Sequence, residues 1–386
     1  SIPTRPEGES VLPLMIPVKY ELLSKASGQS LERGTLLFEQ KQQSFELACE
    51  EPAHLVLFEN FSAPVKVERE LGISDRIFMA RHASDAFCRW DLVQSIWSQA
   101  IQHGEQHPDC MTSLVACLTD ILRDEELDTA VKAELLSQPS FDAIAQDYAE
   151  VNVEQILENK QKLVQSFAEQ NESRLKELVN NLANIANDYT PALVAKRHLK
   201  QVVLSYLGEL AGTEGYLAGA LETCQNMTET MAVVDAIRRS STSLLESSIN
   251  ELEQRFKGNV LVLDKILSTV ARVPSAQAYQ LMTKWSQHAS FTLTNPNRVR
   301  ALYGAFVMAN PAQFHHASGK GYEFLTDLLL QLDKINPQVA ARMVSPLLSW
   351  KRYDQQRQAL MQSCLARMAK QELSNDLFEK VNSAIA

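Results

Sequence analysis

Two histidines four residues apart with a glutamate between them, in His103-Gly104-Glu105-Gln106-His107, are the first residues of this chain whose types could hold a metal. A zinc-peptidase helix places its glutamate directly after the first histidine, and it needs an unbroken helix to bring both imidazoles onto one face. Here the order differs, and Gly104 and Pro108 bracket a helix end. The spacing predicts a polar last turn, with His103 near the negative end of a helix, and no metal site. His315 and His316 are adjacent, so their side chains diverge, and the pair reads as surface between helices. Gly212-Thr213-Glu214-Gly215 and Gly319-Lys320-Gly321 follow no strand and match no phosphate-binding loop, which makes them helix-to-helix connections. There is no G-x-S-x-G, and Met227, Met231, Tyr322 and Phe324 read as core packing.

Polar residues that share a helical face offer recognition chemistry instead. Gln338 and Arg342, in Asn336-Pro337-Gln338-Val339-Ala340-Ala341-Arg342, are four apart near a helix start. They share a face, and a guanidinium beside an amide could bind a substrate group. A solvated face or an interhelix salt bridge gives the same pattern. Arg298 and Arg300, in Asn297-Arg298-Val299-Arg300, occupy a similar position at another helix start.

The elements that carry these residues are mostly helices. The chain has 386 residues with only 13 Gly and 14 Pro, below the usual frequencies of about 7% and 5%, and avoiding both breakers over this length favours helix. A net charge of −10 supplies no basic arm for a phosphate backbone, so nucleic acid is excluded as a partner. Six cysteines without a CxxC read as buried free thiols of a reducing, cytoplasmic setting. No apolar run is long enough to span a membrane. The start, Ser1-Ile2-Pro3-Thr4-Arg5-Pro6, has neither Met nor a signal-peptide core, and the chain is expected to be a piece of something longer.

Prolines 3, 6, 13, 17, 52 and 64 crowd the first 72 residues, and a boundary is expected near Gly72 to Asp75. Before it, alternation over residues 12–23 and short runs at 35–38, 43–48, 55–58 and 65–67 predict a small antiparallel β-sandwich-like unit. Ser27-Gly28-Gln29 supplies a tight turn, and residues 39–42 a second one. After it the apolar period becomes 3.6, with Phe78, Ala83, Ala86, Phe87, Trp90, Val93 and Trp97 on one stripe of a long helix. Thr190-Pro191, Asn295-Pro296, Asn310-Pro311 and Asn336-Pro337 each pair a capping residue with a proline at the first helical position. Many helices joined by short loops pack antiparallel, and the expected architecture is a mainly α protein. Residues 1–72 form a partial β-sandwich, and 73–386 an α-solenoid of the HEAT or armadillo kind.

At these positions the sequence also becomes specific. Asn-Pro-Asn-Arg-Val-Arg-Ala-Leu at 295–302, Gly304-Ala305-Phe306, Asn336-Pro337-Gln338-Val339-Ala340 and Leu377-Phe378-Glu379-Lys380-Val381 resemble the C-terminal end of the bacterial aminopeptidase N family. Phe61-Ser62-Ala63-Pro64-Val65-Lys66, Asp85-Ala86-Phe87-Cys88-Arg89-Trp90-Asp91 and Leu204-Ser205-Tyr206-Leu207 extend the resemblance upstream in the same order. The resemblance implies a zinc-dependent alanyl aminopeptidase of the gluzincin type that removes N-terminal residues from peptides. The H-E-x-x-H and G-A-M-E-N segments that such enzymes use are absent here. The expectation is therefore a non-catalytic part, with no catalytic or metal residue and no cofactor of its own, zinc belonging to the parent enzyme. Its partners would be the upstream catalytic and N-terminal domains and peptide substrates. By the same resemblance, Gln338 and Arg342, and also Arg300, would line the substrate pocket from a helical lid. The alternative from a different class is a freestanding α-solenoid that binds a protein or peptide.

Overall fold

The computed structural model describes residues 14–104, 106–183 and 185–385. Leu12, prolines 3, 6 and 13, and Glu105 of the histidine motif lie outside the described residues. The chain divides into two compact units, Ser1–Gln138 and Pro139–Ala386.

In the first unit, β1 (Ile16–Ser24), β2 (Ser30–Phe38) and β3 (Ala53–Leu57) form an antiparallel sheet in the order β2-β1-β3. The turn after β1 closes through Gly28, whose φ of 73° suits a residue without Cβ, as the spacing predicted. Residues 43–48 and 65–67 are not strands. Gln43 explains the first case: its side-chain amide accepts from the Glu39 N–H at 2.9 Å and donates to the Leu37 carbonyl at 3.1 Å. A side chain thus takes backbone groups that a returning strand would need.

The long helix expected from residue 74 is two helices, Ile73–His82 and Ala86–His103. The break is made by the sheet. Glu21 in β1 is fully buried, and it accepts the Ser84 N–H at 3.0 Å, the Ser84 hydroxyl at 2.6 Å and Arg33 at 3.0 Å. Burial opposes its charge, but these donors outweigh burial and hold its carboxyl below the ordinary value. Asp85 then caps the second helix by accepting from Cys88 N at 2.9 Å. Trp97, Ile96, Val93 and Ala100 of that helix are fully buried. Contrary to the reading of all six thiols as buried, Cys110 and Cys224 are only partly covered and Cys49 is exposed, the last because it sits in the irregular segment before β3.

The second unit is helical, and its successive helices stack on one another. Val153–Asn181 packs on Pro191–Leu207, which packs on Met227–Ser240, which in turn packs on Val260–Ala271. All four proline junctions open helices as expected. Thr190, Asn295, Asn310 and Asn336 each accept a backbone N–H with their side chains. Asn310 does more than cap. It is 2% exposed, and its amide also donates to the carbonyls of Ala271 at 2.9 Å and Val273 at 2.8 Å, which closes the end of one helix with the start of another. Asn310→Ala removes a cap and strands two buried carbonyls, so it is expected to cost about 3 kcal/mol of unfolding free energy. Urea denaturation measures it, and a loss under about 0.5 kcal/mol, typical of an ordinary surface change, would contradict this role.

Candidate functional site

The helix Pro337–Met343 begins at Asn336, whose side chain accepts from Val339 N at 3.3 Å. Val339, Ala340 and Ala341 are buried, which turns Gln338 and Arg342 outward together. Both line one cleft of about 660 Å³. The facing wall is the last helix, Asn375–Ile385. Leu377 and Val381 fix that helix with fully buried side chains, and this orientation sends Asp376, Glu379, Lys380 and Ser383 into the cleft. The spacing of i, i+3, i+4 and i+7 is one helical stripe. Ala341, Leu348 and Ala384 complete the lining.

Three polar contacts hold the cleft's walls. Asp333 is 5% exposed, and it accepts both the Ser374 N–H at 2.8 Å and the Ser374 hydroxyl just before the last helix. Lys380 reaches across and donates to the Ala341 carbonyl at 2.7 Å. Trp350 donates its indole N–H to the Ala384 carbonyl at 3.0 Å. Arg342, Asp376 and Glu379 form no ion pair among the described residues. The cleft therefore offers unpaired charges of both signs, together with the Gln338 amide, to an occupant.

Arg300 does not join them. It is exposed, outside the lining of this cleft, and donates to the Asn297 side chain at 3.2 Å. It opens a single π-helical turn, Arg300–Gly304, inserted between the helices Pro296–Val299 and Ala305–Ala309. Its neighbour Arg298 is 4% exposed and paired with Asp264, an interhelix salt bridge. The residues of the last helix were missed by sequence reading as site residues. Their helical stripe was the available signal, but nothing local says which element the stripe faces.

His315 and His316 part company. His316 is exposed and close to the Ser318 hydroxyl. His315 is 5% exposed, a correction to the surface reading of the pair. Its Nδ1 meets the Tyr322 hydroxyl at 2.9 Å and its Nε2 the Tyr353 hydroxyl at 3.3 Å, while its ring stacks on Tyr353 and Phe141. A neutral imidazole with one donor and one acceptor nitrogen satisfies both tyrosines. Arg357 donates to the His315 carbonyl at 2.8 Å and pairs with Asp354 and Glu154, so it ties three segments at this point.

The exposed His103 and His107 stand at the end of one helix and before the next. Among the described residues no three His, Cys, Asp or Glu side chains gather as a metal requires. The zinc implied by the resemblance finds no donor set among these described residues.

Residues 73–386 match the family described as a domain of unknown function (DUF3458_C) with ARM repeats. The chain belongs to that family. Residues 1–70 match its companion, a domain of unknown function (DUF3458) with an Ig-like fold. The DUF3458_C chain is 33% identical to aminopeptidase N of Escherichia coli (strain K12) over 404 residues, covering 100% of itself and 46% of that protein. It is 30% identical to aminopeptidase N of Haemophilus influenzae over 339 residues, covering 84% of itself and 38% of that protein. Among solved structures, Legionella pneumophila aminopeptidase A in complex with aspartic acid superposes with a TM-score of 0.87 and 24% identity. That match covers 96% of this chain and 45% of the other, and at this identity it shows the fold. The chain spans less than half the length of these relatives and corresponds to a C-terminal part of aminopeptidase N.

Burial pushes the His315 imidazole down to about 3, and nearby Arg357 adds to the effect. Its folded value lies below the ordinary histidine value of about 6.5. The contribution is therefore complete above the ordinary value, and it is lost as pH falls from there toward the folded value, by about 1.4 kcal/mol per pH unit at most. Melting the wild type and His315→Gln between pH 7 and pH 4.5 checks this. The wild type should lose stability more steeply with acidification, and equal slopes would contradict a neutral buried His315.

Proposed function

We propose that this chain is the C-terminal part of a zinc-dependent alanyl aminopeptidase that removes N-terminal residues from peptides. In this reading the chain does not hydrolyse. It gates access to the active site and lines the substrate pocket with Gln338 and Arg342, while Arg300 would act from outside their cleft. Zinc, the general base and the group that holds the substrate's amino terminus belong to upstream catalytic and N-terminal domains, which are its partners. The observation that carries the reading is the match to aminopeptidase N along the whole chain, at under half of that protein's length. The convergence of Gln338 and Arg342 on one cleft supports their role in it.

Two finer points belong to the same proposal. The modular division is proposed at residues 72/73; a family match that ends at residue 70 and another that begins at 73 support it, although the sheet packs with the following helices into one compact unit ending at Gln138. The compartment is the cytoplasm, where the chain's six free thiols would stay reduced. No helix among the described residues is long and apolar enough to cross a membrane.

The complete polypeptide carrying this sequence should bind stoichiometric zinc and hydrolyse an alanyl chromogenic substrate, and this chain expressed separately should do neither. In the complete polypeptide, Arg342→Ala should lower kcat/KM for peptides by about 3- to 10-fold, the worth of an ion pair in a partly exposed cleft. The same substitution should cost under about 0.5 kcal/mol of stability. Unchanged kcat and KM across several peptides would return Arg342 to a solvated helix face.

A further inference from the structure

The cleft is electrically polarised, and the residue that polarises it is Lys380. Lys380 springs from the last helix beside Asp376 and Glu379, and its ammonium would partly neutralise them if it stayed there. Instead it crosses to the carbonyl of Ala341, 2.7 Å away, next to Arg342. One wall thus presents two cations, the Arg342 guanidinium and the Lys380 ammonium, and the other presents two carboxylates. None of Arg342, Asp376 and Glu379 is paired within the described residues. Two helices that needed only to pack would close such a seam with apolar side chains. Here the last helix buries Leu377 and Val381, and beside them the two helices line a polar space of about 660 Å³, room for a few residues of peptide.

We infer that this cleft binds short peptides that carry a free carboxylate together with a cationic side chain, such as alanyl-lysine. The carboxylate meets Arg342, Lys380 and the Gln338 amide, because a planar guanidinium fork matches a carboxylate. The ammonium or guanidinium of the peptide meets Asp376 and Glu379. A ligand with only one of the two charges leaves the opposite wall unanswered. The inference rests on the pocket role proposed for Gln338 and Arg342, and it names the substrate class that this pocket selects.

The test uses the complete polypeptide and four probes: alanyl-lysine, alanyl-lysine amide, alanyl-glutamine and alanyl-glutamine amide. Binding is measured by calorimetry and turnover by kcat/KM. Amidation and replacement of lysine by glutamine should each weaken the wild type by about 3- to 10-fold, the range of a partly exposed ion pair. The two variants should then fail on different arms. Arg342→Gln should erase the effect of amidation and keep the preference for lysine. Glu379→Lys should erase or invert the preference for lysine and keep the effect of amidation. Melting temperatures near the wild-type value show that both variants fold, and Asp376→Asn repeats the second arm without reversing a charge. A wild type indifferent to both changes, or a variant that moves both arms alike, would overturn the inference. Charge-selective binding without hydrolysis would support the cleft assignment and count instead against the proposed aminopeptidase activity.

Discussion

The constraint that orders the helical unit is that backbone groups at helix ends must find partners once those ends are buried against other helices. Side chains from distant segments meet it repeatedly. Asn310 takes two carbonyls at the end of Val260–Ala271 while capping its own helix. Arg357 takes the carbonyl of His315, and Lys380 takes that of Ala341. Asp333 fixes Ser374, whose own carbonyl accepts from Phe378 N at 2.8 Å in the first turn of the last helix. Each contact fixes the angle between two helices as well as satisfying a polar group. The cleft is a product of two such contacts.

Much of this was legible in the sequence where the signal is local. A capping side chain followed by proline marks a helix start whatever surrounds it, and all four such junctions open helices. The 3.6-residue period likewise gave the helical class, and the pairing of Gln338 with Arg342 followed from spacing alone. The failures have two causes, a distant partner overriding a local pattern at Ser84 and His315, and a nearby side chain competing for the backbone at Gln43. Ser84 falls within the span of the amphipathic stripe from Phe78 to Trp97, yet Glu21 of the sheet claims its N–H and breaks the helix. Residues 43–48 have strand composition, yet the Gln43 amide takes the neighbouring backbone. His315 looks polar and interhelical, but the hydroxyls of Tyr322 and Tyr353 make its burial affordable.

The site divides the same way. One wall is a short motif on one helix and could be read from residue order. The other is a polar stripe on the last helix, whose relation to Arg342 exists only after Leu377 and Val381 dock and Ser374 is held by Asp333. Arg300 stands apart from Gln338 and Arg342. It lies at a helix start with an arginine-rich signature, but its guanidinium turns to Asn297 and the cleft forms elsewhere.

The central claim, that the cleft between Pro337–Met343 and Asn375–Ile385 receives peptide, is tested most directly by a crystal structure of the complete polypeptide with a non-hydrolysable dipeptide analogue. The account expects density for the ligand in that cleft, with its carboxylate within hydrogen-bond distance of the Arg342 guanidinium. A ligand bound elsewhere, with the cleft filled by another segment of the polypeptide and Arg342 paired to a protein carboxylate, would contradict it.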